Sequence, residues 1–443
     1  MNDYKLFHEL CTRVSTLIEN ELELVSEIGV DSEVLSFVEL QKKAIMGYTH
    51  EANYLKSKIN EVLNRESISS SVTMAYPPWY ENQASAIFEE VWGMCSLAEW
   101  FGDRYATSSS AKVIGDRIYF MQDGAMQLMP QKIDVMRREQ LVRNLLLLST
   151  TERLDKDYHE IYLLDGTRVT IFRRDMVKDL QETIIFRRYI VPNYTFEEQA
   201  RRNTIPNAAI PLFETMVKLG YNVAFCGAVK TSKTTFLSTW QRYEDEALEG
   251  VMVETDPEIP LQDIMPTAPI VQLLADGESL QSITKNLLRS DADYFIFAEA
   301  RDAVALDTAI RLARKGTRRM KMTFHMSDPT MFARDVAIEI AHYTGQDLLE
   351  TQKIVASSFD YIFHFIQLKD KGVKKLSAIY EIGVDDAQPY TRPILTYDVI
   401  SDVWHFHHNI SEEKRIYGYT QSPEDFHEYD ELLKDLSDED DVN

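Results

Sequence analysis

The 443-residue chain has only three cysteines, Cys11, Cys95 and Cys226, far apart and in no metal-ligand spacing. So sparse and odd a set points to structural thiols in a reducing compartment. No apolar run approaches the ~18 residues of a membrane-crossing helix. The opening residues, MNDYKLFHELCTRVSTL, lack the uninterrupted apolar core of a secretory leader. A cytoplasmic protein, at most peripheral to a membrane, is expected. Positive charge is scarce, with 47 Lys and Arg against 71 Asp and Glu, a net charge of -24. Phosphate backbones demand the opposite surplus, and no aromatic stacking platform compensates, so nucleic acid is disfavoured as a partner. No internal repeat is visible, and no proline precedes Pro77.

The rest of the composition is ordinary: 44% hydrophobic and 27% charged, enough for sizeable cores. The length suits two or three domains. Apolar residues recur at helical spacing before residue 66: Leu6, Leu10, Val14, Leu17 and Ile18, then Leu35, Val38, Leu40 and Ile45, then 54–63. This predicts a helical N-terminal extension over 1–66. Ser67 to Ser71 and Pro77-Pro78 mark a joint. A mixed α/β domain is expected over 67–200, with helices at 84–100 and 137–148 and strands around Gly115-Asp116. It also carries a hairpin about Asp165-Gly166 and a strand at 184–189. The stretch 195–206 reads as a polar connector.

From 201 to 421 strands alternate with helices, and successive strands end on polar residues: Gly227, Glu254, Glu299 and His325. Alternation of this kind predicts a doubly wound sheet with its ligand at the carboxyl ends of the strands. Strand-like runs return between 354 and 382. Residues 422–443, rich in Asp and Glu, read as a solvated tail forming a helix that frays. The basic run 311–321 reads as a solvated face or subunit contact. The three histidines at 405, 407 and 408 lie on a strand-like stretch that aims alternate residues at opposite faces, which argues against a metal site.

The densest chemistry lies in GYNVAFCGAVKTSKTTFLSTW, beginning at Gly220. A short apolar strand runs into Gly227; four residues later come Ser232, Lys233, Thr234 and Thr235 and a helix start. A loop of this kind wraps phosphate with backbone N–H groups, aided by the helix N-terminus. Lysine reaches the outer phosphates and threonine can hold magnesium. The usual pattern G-x-x-x-x-G-K-[ST] is broken at Ser232, where a glycine belongs. Alone, the stretch also reads as an incidental Lys-Thr turn. The downstream acids favour the first reading, because Glu299 ends the apolar strand YFIFA where a carboxylate can orient an attacking water.

In order and spacing these motifs resemble the type II/type IV secretion traffic ATPase superfamily, most closely its Flp/Tad-like pilus assembly branch. Residues 253–259 resemble its acidic box, retaining Glu254 and Glu258 with Thr255 in place of an aspartate. Residues 286–301 resemble its Walker B stretch, with Ala298 in place of glycine, and Thr323-Phe324-His325 resembles its histidine box. Residues 91–94, 163–169 and 185–188 are similar to stretches of its N-terminal domain. The resemblance implies a RecA-like P-loop NTPase C-terminal domain (α/β) behind a smaller α/β N-terminal domain, with ATP and Mg as cofactors. It implies that Lys233 and Thr234 hold phosphates and magnesium, that Glu254 and Glu258 support metal and water, and that Glu299 orients the nucleophile. Arg301 and His325 would couple the phosphate state to neighbouring subunits, and Arg168, Arg187 and Arg188 would reach the nucleotide. It further implies a homo-hexameric ring working on an inner-membrane platform protein of a pilus or secretion system.

Ser232 places a Cβ where backbone should approach phosphate or turn left-handed, at a cost of roughly 1–2 kcal/mol. Ser232→Gly is therefore expected to tighten ATP binding by about tenfold or more. Unchanged or weaker affinity by titration calorimetry counts against this account of the loop.

Overall fold

The computed structural model describes residues 4–27, 37–65, 75–122, 125–148, 155–163, 165–188, 190, 192–370 and 372–440. The joint at Ser67 to Ser71, Leu35, Leu164 and Tyr189 lie outside them. The chain forms two compact units, Met1–Ile190 and Val191–Asn443.

In the first unit the helices Lys5–Glu27, Phe37–Met46 and Thr49–Arg65 precede the helix Gln83–Val91. Their apolar stripes meet: Phe7, Val14, Ile18, Leu55, Ile59, Ile87 and Trp92 share one buried cluster. An antiparallel sheet follows, of strands β1 (Ser110–Ile114), β2 (Arg117–Gln122), β3 (Ala125–Lys132), β4 (Tyr158–Tyr162), β5 (Arg168–Phe172) and β6 (Thr183–Arg187). Its order is β3-β2-β1-β6-β5-β4. The hairpin expected at Asp165-Gly166 is present: the Asp165 carboxylate accepts from the Thr167 N–H and hydroxyl, and Gly166 N–H donates to the Leu163 carbonyl. Strand β3 was not anticipated. Its side chains are largely exposed, so no apolar alternation advertises it.

The stretch 195–206, read as a connector, belongs to the second unit. Thr195 caps the helix Phe196–Arg201 through a capping box, and Phe196 is fully buried. Nine strands form one sheet: β7 (Val223–Gly227), β8 (Gly250–Glu254), β9 (Ile270–Leu274), β10 (Tyr294–Phe297), β11 (Lys321–His325), β12 (Tyr361–Gln367), β13 (Lys374–Asp385), β14 (Gln388–Asp398) and β15 (Val403–Phe406). The order is β15-β14-β13-β12-β7-β11-β10-β8-β9. The six strands from β12 to β9 are parallel, and β13, β14 and β15 extend the sheet antiparallel. Strands β7, β8 and β10 are buried throughout, as parallel strands covered on both faces must be. Helices Ile210–Leu219 and Lys233–Gln241 build the core on one face, and Gly277–Leu287, Ala303–Arg314 and Phe332–Thr344 that on the other.

Two expectations are corrected. The acidic tail is a structural helix, Pro423–Asp440, whose Phe426, Tyr429 and Leu433 are fully buried in the main core. The Tyr429 hydroxyl donates to that of Tyr361 (3.0 Å), and a Cβ at Gly418 would overlap the Phe426 ring. The acids occupy the outer face of an amphipathic helix, so charge content alone misjudged it. The C-terminal half of the basic run is not a solvated face either. Arg319 and Lys321 both pair with the buried Glu244, Lys321 lies 4.2 Å from the Tyr294 ring centre, and Arg318 pairs with the buried Asp360, which also takes Lys414 at 2.7 Å. Buried carboxylates of this kind require partners, and the run supplies them.

Leu433→Ala is expected to cost about 2–5 kcal/mol of stability in chemical denaturation, as for other buried leucines. Deletion of 422–443 should lower the melting temperature further. A deletion variant that melts with the full chain would show the helix to be dispensable.

Candidate nucleotide-binding site

Register brings the site together. Strand β11 lies between β7 and β10, with His325 opposite Gly227 and Met322 opposite Phe297; β8 follows on the far side of β10, with Val253 opposite Phe297. At the ~4.8 Å interstrand spacing, Gly227, His325, Glu299 and Glu254 therefore stand in a row at one edge of the sheet.

The loop after β7 is tightly specified. At Gly227 (φ 145) a Cβ would lie 2.2 Å from the Phe365 carbonyl oxygen and 2.8 Å from Thr231 Oγ1, so only glycine fits. Thr231 Oγ1 donates to the Ala228 carbonyl at 2.9 Å, closing the loop. Two residues in it are left-handed without being glycine, Lys230 (φ 66) and Ser232 (φ 71). Ser232 thus occupies the conformation its place in the motif implied, and Lys230 is a second left-handed residue, at a position the motif leaves open, that sequence reasoning missed. Each costs roughly 1–2 kcal/mol relative to glycine. Ser232 precedes the helix Lys233–Gln241 and makes no side-chain cap. The first-turn N–H groups are thereby left to a ligand, the arrangement that suits an anion.

Lys233 is buried. Its Nζ donates to the Ala228 carbonyl (2.8 Å) and lies 3.1 Å from His325 Nδ1. Burial pushes its pKa down to about 8, against the opposing pull of Cys226, Glu299 and Glu258. His325 Nε2 is in turn 3.0 Å from Glu299 Oε1, and Arg301 Nε pairs with the same oxygen. An ammonium can only donate, so the chain is satisfied by a neutral His325 that accepts at Nδ1 and donates from Nε2 to Glu299. The result is a continuous polar line, Lys233–His325–Glu299–Arg301.

The acidic box lies alongside. The buried Glu254 carboxylate accepts the backbone N–H groups of Glu258 (3.2 Å) and Ile259 (3.1 Å). Burial raises its pKa to about 8. Glu258 is raised to about 7 by burial and then by repulsion from Glu299 and Asp256, against the opposing effects of Arg301 and a hydrogen bond with the Thr234 side chain. Thr235 follows in the same helical turn. Ala298, in place of the pattern's glycine, and Ala300, after Glu299, are both buried in the flanking cores. Thr323 fastens this segment, its hydroxyl donating to the Ala298 carbonyl (2.6 Å).

Among the described residues no cluster of three or more His, Cys, Asp or Glu side chains forms a protein-only metal cage. A magnesium ion needs none, since waters and substrate phosphates supply most of its ligands. The donors present fit that role: a Thr234 hydroxyl beside Glu258, whose ionisation burial and like charge oppose and a divalent cation would favour.

Arg168, Arg187 and Arg188 belong to the first unit. Arg168 pairs with Glu160 (2.8 Å), and Arg187 ends β6 with an exposed side chain. Arg188 lies 3.9 Å from the Trp100 ring centre and donates to the carbonyls of Trp100 (2.9 Å) and Tyr105 (3.2 Å). The histidines near 407 serve structure: His407 bonds Thr396, and His408 bonds Asp430 at 2.8 Å.

A parallel sheet whose phosphate-type loop and acidic strand flank an intervening strand defines the RecA-like P-loop fold. No protein-family profile matches the sequence, and no curated protein does. Solved structures do. The Yersinia pseudotuberculosis ATPase DotB matches at TM-score 0.46 and 15% identity, over 83% of this chain and 89% of its own. The pilus retraction motor PilT, solved with ADP, matches at 0.45 and 15%, over 59% and 75%. The VirB11 ATPase of the Brucella suis type IV secretion system matches at 0.35 and 15%, over 65% and 92%. At such identities the likeness is one of fold. Among the described residues no helix is long and apolar enough to cross a membrane.

The raised Glu254 pKa carries a stability consequence. A carboxyl whose folded pKa lies above its unfolded value of about 4.5 stabilises the fold below that pH, and the contribution is lost as pH rises through about 8. Glu254→Gln keeps the acceptor oxygen and removes the charge. It should melt like the wild type near pH 4.5 and be more stable at pH 8.5, by a few kcal/mol at most at about 1.4 kcal/mol per pKa unit. Parallel melting curves across that range would refute the burial argument.

Proposed function

We propose that this chain is a ring-forming cytoplasmic ATPase that powers a type IV pilus-like, conjugative or secretion apparatus by magnesium-dependent ATP hydrolysis. The observation that carries the reading is the line Lys233–His325–Glu299–Arg301 drawn across three adjacent strand ends beside the phosphate loop. The uncapped helix start and Lys233 hold the phosphates. Glu299 orients the attacking water and, through His325, feels whether Lys233 is engaged. Thr234, with Glu258 and Glu254 in support, would hold magnesium, which would supply neutralisation of charge across the outer phosphates. Lys233 exchanges its bond to the Ala228 carbonyl for a phosphate oxygen, whose negative charge offsets the burial that disfavours the ammonium.

The remaining elements follow from the resemblance: a homo-hexamer, Arg301 and His325 signalling between subunits, and the first-unit arginines Arg168, Arg187 and Arg188 contributing to the nucleotide. An inner-membrane platform protein would be the partner, with the chain peripheral at the inner face of the membrane. The pilus-assembly branch is the closest likeness in the motifs. A net charge of -24 disfavours DNA as the direct substrate.

A second reading is a nucleotide-binding but hydrolytically weak structural subunit of the same kind of machine. It is favoured by the two non-glycine residues in left-handed loop positions. ATP turnover by the purified chain at ring-forming concentration separates the two. The enzyme reading expects Glu299→Gln to lose at least about a hundredfold in rate with binding retained, and Lys233→Ala to lose binding. Equal background rates in all three proteins sink it; binding lost only in Lys233→Ala, with no turnover anywhere, supports the scaffold.

A further inference from the structure

Lys230 stands three residues before Lys233, exposed at the outer turn of the loop. Its left-handed backbone (φ 66) suits glycine or asparagine far better than a long side chain. Strain of this sort persists where the surrounding structure and the chemistry of a site sustain it. The local charge balance gives lysine a task there. Glu254, Asp256, Glu258 and Glu299 crowd the strand ends, and the coulombic influence of Asp256 and Glu299 on Glu258 confirms their proximity. The cations placed among them are Lys233, which is buried and bonded to Ala228 and His325, and Arg301, which is committed to Glu299. A triphosphate adds several negative charges to this cluster, and phosphoryl transfer depends on cations that neutralise them. Lys230 is tethered to the same loop, and the Thr231 to Ala228 hydrogen bond holds its backbone over the span that would wrap the phosphates. The flexible four-carbon stem gives its ammonium reach as a mobile point charge.

We propose that Lys230 is a phosphate-contacting residue, its ammonium neutralising the terminal phosphate of the nucleotide held by the same loop. In that role it supplies within one chain part of the cationic charge that the terminal phosphate requires. The proposal rests on the nucleotide reading of the site.

The test is titration calorimetry of the full chain with ATP and with ADP, alongside thermal melts, for wild type, Lys230→Gly, Lys230→Gln and Lys230→Arg. Lys230→Gly relieves the backbone strain, so its melting temperature should match or exceed that of the wild type. ATP affinity should nevertheless fall about tenfold and ADP affinity about threefold or less, a loss of one charge-assisted contact made chiefly to the last phosphate. Lys230→Gln should weaken ATP binding similarly, and Lys230→Arg should stay within about threefold of wild type. A Lys230→Gly variant that binds ATP as tightly as wild type, or that loses ATP and ADP equally, overturns the proposal. A wild-type chain that binds neither nucleotide overturns the nucleotide reading itself, a result visible before any variant is compared.

Discussion

Parallel strands in register must all end at the same edge of their sheet, and the candidate site depends on that constraint. The edge is where strand carbonyl ends and helix N-termini converge, so polar groups gather there without having to be buried mid-strand. Strand β11 separates β7, which leads into the lysine loop, from β10, which leads to Glu299. His325, at the end of the intervening strand, fills the gap and joins Lys233 to Glu299 through its two ring nitrogens. A side chain with one donor and one acceptor at opposite ends is what this spacing calls for. A lysine at position 325 would meet Lys233 as a like charge.

The same edge concentrates acid. Glu254 and Glu258 have their carboxyls pushed to about 8 and about 7, in each case chiefly by burial. Such groups oppose the stability of the fold at neutral pH and become favourable when a cation arrives. Elsewhere the protein treats buried carboxylates differently. Glu244 receives Arg319 and Lys321, and Asp360 receives Arg318 and Lys414. Full pairing at structural positions beside under-compensated charge at the sheet edge separates a scaffold interaction from one kept for a ligand.

Much of this was legible in the sequence. Strand identity in the second unit followed from short apolar runs ending on polar residues, and Gly227, Glu254, Glu299 and His325 do fall at one edge. Missed features share a physical cause. Strand β9 has partly exposed side chains at the sheet edge, and β3 faces solvent along most of its length, so neither carries a clean pattern. The acidic tail was misread because Phe426, Tyr429 and Leu433 recur at helical spacing within a background of Asp and Glu that dominates any average. Periodicity, not composition, held the answer there. The ion pairs of the basic run join residues tens of positions apart, a relation that no local pattern encodes.

The two left-handed non-glycine positions of the loop are best understood through what the rest of the structure will tolerate. Gly227 cannot change, because its Cβ would strike the carbonyl of Phe365 on the neighbouring strand, and no rotamer of any side chain avoids that. Lys230 and Ser232 face no such barrier; their penalty is conformational, roughly 1–2 kcal/mol each, within what a large core can absorb. A steric requirement therefore fixes glycine at 227 and leaves positions 230 and 232 open to residues with chemistry of their own. Serine adds a hydroxyl where the helix begins, and lysine adds a charge to an acid-rich edge. Degeneracy of the motif, on this view, marks where strain is affordable and is no measure of whether the loop still holds phosphate.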